Sequence, residues 1–166
     1  MELAKRKNIR LKDFDYSQNG AYFLTVCVKD RHELLGKIDV GTNCVRPQLS
    51  EHGTVVEKEI AILNSTYKDV KVDKYVIMPN HIHMIIFITE ENGRTQFVPT
   101  VSQVIKQFKG AITKKIGFSF WQSRFHDHII RNEEDYQHHW RYIDENPVRW
   151  TEDEYYRGMN NANKSL

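Results

Sequence analysis

Apolar residues recur along the chain with two different periods, and the switches between them divide it into short elements. Residues 21–28, AYFLTVCV, combine aromatic and β-branched side chains behind Asn19-Gly20 and predict a strand. Residues 33–50 carry Gly36, Gly41, Asn43 and Pro47 between short apolar pieces, the pattern of a small hairpin or irregular arm. Ser50 offers a helix N-cap, and Val55, Val56, Glu59, Ile60 and Leu63 predict an amphipathic helix to about Leu63. Val70, Val72, Lys74 and Val76 alternate before the segment turns fully apolar, which predicts a strand over 70–78. Pro79-Asn80 turns the chain, and 81–88 reads as a second strand, antiparallel to the first.

Beyond a polar loop at 90–99, Thr100 or Ser102 caps a helix to about Ile116, with Val104, Phe108, Ile112 and Ile116 on one face. An aromatic and polar connection at 118–124 leads to a short strand over 126–131. Asn132 followed by Glu133, Glu134 and Asp135 is a cap with acids at the positive end of a helix dipole. That helix runs to Glu145 or Asn146, because Pro147 disfavours helical geometry in the residue before it. Pattern is lost after Trp150, so 151–166 reads as a loose tail. The order strand, helix, two strands, helix, short strand, helix predicts an α+β domain, an antiparallel sheet with helices packed mainly on one face.

A length of 166 residues sets the expectation at one domain, with a basic arm at 1–12. With 40 % hydrophobic and 28 % charged residues, the chain is a folded one rather than a disordered one. No apolar run reaches the roughly 20 residues that span a bilayer, and the basic start MELAKRKNIRLKDF lacks the apolar stretch of a secretory signal. Cys27 and Cys44 are too few for a disulfide framework or a four-cysteine zinc site, which points to a reduced cytoplasmic compartment.

A net charge of +2, from 24 Lys+Arg against 22 Asp+Glu, does not by itself announce nucleic acid. The distribution says more. Lys5, Arg6, Lys7, Arg10 and Lys12 crowd the arm, and Lys106, Lys109, Lys114 and Lys115 recur in a segment without acids. Either group suits phosphate contact, and either also suits a solvated surface. Phe120, Trp121, Arg124, Phe125 and Arg131 interleave rings with cations, as single-stranded nucleic acid or a packed loop would require.

Two stretches carry candidate chemistry. In His81-Ile82-His83 a strand points both imidazoles to one face and Ile82 to the other, so two nitrogens reach one divalent metal or one phosphate. The same spacing suits a surface strand with two incidental histidines. A histidine-triad nucleotide hydrolase would want a third histidine where Ile85 stands. A small metal-dependent phosphohydrolase is compatible with the pair alone. On the last helix His138, Tyr142 and Asn146 lie four apart and form one polar ridge. A tyrosine hydroxyl, with a pKa of about 10, attacks well only where a cation polarises its target or lowers its pKa. The amide one turn on can supply a third ligand to a histidine pair.

GAYFLTVCVKDR, YVIMPNHIHMII, VSQVIKQFKGAITKKIG and FWQSRFHDHIIRNEEDYQHHWRYIDENPVRW together resemble the single-tyrosine transposases of the HUH class, in the REP-associated tyrosine transposase branch. The resemblance covers residues 8 to 150. It implies a ferredoxin-like α+β fold, metal ligands at His81, His83 and Asn146, and a nucleophile at Tyr142. It further implies Mg²⁺ or Mn²⁺, a homodimer, and single-stranded DNA with hairpin or palindromic elements as substrate. Cleavage would leave a 5′-phosphotyrosine link and a free 3′-OH. The rival function within the same resemblance is a domesticated protein that binds such hairpins without cutting them.

Overall fold

The computed structural model describes residues 20–39, 46–89 and 98–158. The arm with Lys5, Arg6, Lys7 and Arg10, the loop tip around Asn92-Gly93, Cys44 and the tail from 159 lie outside the described residues. The elements are β1 (Gly20–Cys27), β2 (Gly36–Lys37), β3 (Gln48–Leu49), α1 (Glu51–Thr66), β4 (Val70–Met78), β5 (His81–Ile88), α2 (Val101–Ile116), β6 (His126–Ile130) and α3 (Glu133–Glu145). Four strands form one sheet in the order β4-β5-β1-β6, every neighbouring pair antiparallel. With α1 after β1 and α2 after β5, this is the βαββαβ arrangement of the ferredoxin-like fold. The expected arm survives as the two-residue pair β2–β3.

Local chemistry sets the helix ends. Ser50 accepts a hydrogen bond from Gly53 N at 3.1 Å. Thr100, not Ser102, caps α2, in a reciprocal pair with Gln103. Asn132 accepts from Asp135 N at 2.8 Å.

Strand alternation then divides the sheet into two unlike faces. Leu24 and Val26 of β1 and Ile82, Met84 and Ile86 of β5 point to one side, where Val56 and Ile60 of α1 and Val104, Ile105 and Phe108 of α2 cover them. Lys115 of α2 pairs with the buried Glu59 of α1 along the seam. His81, His83 and Ile85 take the other side. There α3 lies across the sheet, with Ile143 packed on Ile85 and Ile130. The single-face expectation holds for α1 and α2; α3 is the exception.

The loose-tail expectation needs correction over the part that is described. A 3₁₀ turn at Trp150–Glu152 folds the chain back, and Trp150 and Tyr155 are buried with Cys27 and Met78. Irregular chain shows no period, yet two aromatic rings anchor it.

Candidate active site

The two histidines sit where β5 is covered on both flanks, paired with Cys27 and Thr25 of β1 and with Met78 and Val76 of β4. Both side chains are buried. Their partners fix much of the proton placement. Asn80 donates its Nδ2 to the carbonyl of Tyr155 at 2.8 Å and to that of Arg31 at 3.2 Å. Its Oδ1 therefore faces His81, whose Nδ1 donates to it at 2.8 Å. A neutral His81 then has a bare Nε2, 3.0 Å from His83 Nε2. Thr25 Oγ1 lies 2.8 Å from His83 Nδ1 on the opposite side of that ring. Burial drives both imidazoles to the neutral form, His81 down to about 3 and His83 well below its ordinary value. Neutral rings with inner nitrogens turned to one point are the donor set that a divalent cation takes.

Tyr142 comes over this pair from α3. Its ring lies 5.2 Å from that of His83 and 5.9 Å from that of Phe23, and the residue remains 39 % exposed. Burial, followed by the carboxylates of Asp153 and Glu154, pushes its hydroxyl up to about 12. Asn146 caps α3 and is buried; its Nδ2 donates to Asp153 Oδ2 at 2.9 Å, while its Oδ1 has no hydrogen-bond partner among the described residues. Asp153 Oδ2 in turn lies 3.8 Å from His81 Nε2. The ligand atoms of His81, His83 and Asp153 all lie within 4.8 Å of one another. A cleft of about 520 Å³ opens beside them between β1, β6 and α3.

The chain also folds a second tyrosine onto the histidines. The ring of Tyr155 lies tilted 4.5 Å from that of His81, but it is buried against Cys27 and its hydroxyl is held far above the ordinary phenol range. Tyr136 is turned away and donates to Asp73 at 2.6 Å. His138, on the ridge with Tyr142, lines the cleft.

The remaining sequence candidates are placed apart. Lys106, Lys109, Lys114 and Lys115 ride on α2, across the sheet from the histidines. Lys109 donates to the carbonyls of Gln122 and Arg124, so part of this lysine group ties the connection to β6. Arg124 and Arg131 are exposed just outside the two ends of β6, the strand whose His126 and His128 wall the cleft. Sequence reasoning missed Thr25, Asn80, Asp153 and a second group, His128, Asp135 and His139, in which Asp135 Oδ2 accepts from His128 Nε2 at 2.8 Å. Asn80 had a signal, its place just before the histidines; Asp153 had none, since it belongs to unpatterned chain.

No family model matches the sequence. A Haemophilus influenzae protein of uncharacterized function is 31 % identical over 174 residues, covering 91 % of this chain and 93 % of that one. The REP-associated tyrosine transposase of Escherichia coli K12 is 30 % identical over 134 residues, 81 % of this chain and 70 % of that protein. Among solved structures, that of a REP-associated tyrosine transposase bound to a REP hairpin superposes with a TM-score of 0.63 at 25 % identity, covering 85 % of this chain and 74 % of the other. By fold and by sequence the chain belongs to the REP-associated tyrosine transposases.

Proposed function

We propose that the protein is a divalent-metal-dependent strand transferase that cuts and rejoins hairpin-forming single-stranded DNA through Tyr142. The observation that carries this reading is the position of Tyr142, exposed to the cleft yet with its ring 5.2 Å from that of His83. The hairpin bound by the structurally similar transposase supports the substrate class.

His81 and His83 would hold Mg²⁺ or Mn²⁺, and Asn146, with its buried and unpartnered Oδ1, borders the same place. When bound, such a cation withdraws charge from a phosphoryl oxygen and lowers the barrier to attack by a weak nucleophile. The Tyr142 oxygen forms a bond to phosphorus as it loses its proton, the bond from phosphorus to the 3′ oxygen breaks, and that oxygen leaves as a 3′-OH. A 3′-OH later attacks the phosphotyrosine, and the hydroxyl of Tyr142 is restored. The bond energy is kept in the phosphotyrosine, so rejoining requires no nucleotide triphosphate. Thr25 and Asn80 hold the two imidazoles in place throughout.

A denaturing gel with labelled hairpin DNA and Mn²⁺ tests the reading. Wild-type protein should give a covalent adduct that survives boiling; Tyr142→Phe should bind the hairpin and give none. Binding without an adduct in the wild type would instead favour a hairpin-binding protein that does not cut.

A further inference from the structure

We propose that Asp153 is the anionic ligand of the cation held by His81 and His83, and that Asn146 acts as the residue that positions it. This rests on the reading that the histidine pair binds a divalent metal.

The side chain of Asp153 is fully shielded from solvent. It receives two hydrogen bonds, from Asn146 Nδ2 to Oδ2 at 2.9 Å and from Tyr155 N to Oδ1 at 2.8 Å. Both donors are neutral. Arg31, the nearby guanidinium, donates to the carbonyl of Glu154 and lies over the Tyr155 ring. Asp153 Oδ2 lies 3.8 Å from His81 Nε2, which is bare in the neutral ring and brings no positive charge. A cation between this carboxylate oxygen and the two imidazole nitrogens would take one ligand atom from each of the three side chains.

The spacing and chemistry agree. Adjacent ligands of an octahedral ion with bonds of about 2.1 Å stand about 3.0 Å apart. The two Nε2 atoms already do, at 3.0 Å, and Asp153 Oδ2 is 3.8 Å from the nearer one. Imidazole alone suits softer ions, whereas a carboxylate brings in Mg²⁺ and Mn²⁺. Asn146 spends its Nδ2 on the oxygen of Asp153 that faces the histidines, which aims that oxygen.

Titration of the full chain with MnCl₂, followed by calorimetry and by the loss of the free-Mn²⁺ electron paramagnetic resonance signal, tests this. The Asp153→Asn side chain has nearly the same shape and should weaken Mn²⁺ at least tenfold. Asn146→Ala should weaken it less, and His81→Ala with His83→Ala should abolish it. If Asp153→Asn binds Mn²⁺ within twofold of wild type while the histidine variant does not, the assignment to Asp153 falls and the histidine reading stands. If the histidine variant binds like wild type, the histidine reading itself falls, and this assignment with it. Hydrogen exchange on the wild-type protein gives an answer even should Asp153→Asn fail to fold. Mn²⁺ should slow exchange at the Asp153–Tyr155 amides, and unchanged exchange there overturns the assignment.

Discussion

Asn80 Oδ1 accepts the Nδ1 proton of His81 at 2.8 Å, and the Asn80 amide is itself held by carbonyls from two distant parts of the chain, Arg31 and Tyr155. One asparagine thus sets a tautomer and pins the segment that closes over the site. Outer partners of ligating histidines are worth about 10–100-fold in metal affinity. Asn80→Ala should therefore weaken Mn²⁺ by about that factor in a calorimetric titration, with both histidines intact. Unchanged affinity would mean that β5 alone orients His81.

Acid should unfold the metal-free protein through the same histidines. In an unfolded chain they titrate near 6.5; in the fold His81 is held down at about 3 and His83 well below 6.5, chiefly by burial. As pH falls from 6.5 towards 3, the unfolded chain takes up the His81 proton and the folded chain does not. Stability is thus fully present above 6.5 and falls by about 1.4 kcal/mol per pH unit for each such histidine. Urea midpoints in EDTA should drop between pH 6.5 and 5. A flat profile over that range would show that the imidazoles are open to water.

Tyr155 lies as near to the histidines as any tyrosine in the described structure, so its exclusion as nucleophile is a testable claim. Its hydroxyl is buried against Cys27, whereas Tyr142 is partly exposed. Tyr155→Phe should cost about 1 kcal/mol of stability. It should leave the amount of covalent adduct within about threefold of wild type, whereas Tyr142→Phe abolishes it. An adduct lost in Tyr155→Phe and kept in Tyr142→Phe would exchange their roles.

Cations beside the cleft and behind the sheet should separate in a salt titration of hairpin binding. For single strands, each phosphate contact contributes about −0.7 to the slope of log K against log salt. Arg131→Gln should flatten the slope by about that amount, since Arg131 stands exposed at the end of the β6 wall. Lys109→Ala should leave the slope unchanged and lower the melting temperature, because its ammonium is bonded to the carbonyls of Gln122 and Arg124. Equal slopes for wild type and Arg131→Gln would place the DNA elsewhere.

Much of this architecture was legible because the determinants are local. The caps at Ser50, Thr100 and Asn132 each act within three residues, and the bounds of β4 and β5 match the expected 70–78 and 81–88. The shared face of His81 and His83 follows from strand geometry, as does the burial of Ile82 on the other side. The side of the sheet that α3 occupies was not legible. Its apolar residues are few, and Ile143 alone is fully buried in it, so periodicity could not say which surface it meets. Asp153 was illegible for another reason: its place depends on Trp150 and Tyr155 docking against Met78 and Cys27, far away in sequence.

The fold-back of residues 150–157 has a consequence for the order in which a new molecule becomes competent. Synthesis runs from the N-terminus, so the sheet, both histidines and the Tyr142 helix are made before it. At that stage Asn80 has the Arg31 carbonyl but not that of Tyr155, and His81 lacks the rings of Trp150 and Tyr155 above it. A chain cut short before residue 150 would carry Tyr142 beside an unfinished, water-filled pocket. The stretch that completes the pocket thus docks onto it from outside the sheet, and a chain lacking that stretch would keep both histidines and Tyr142 but leave the pocket open.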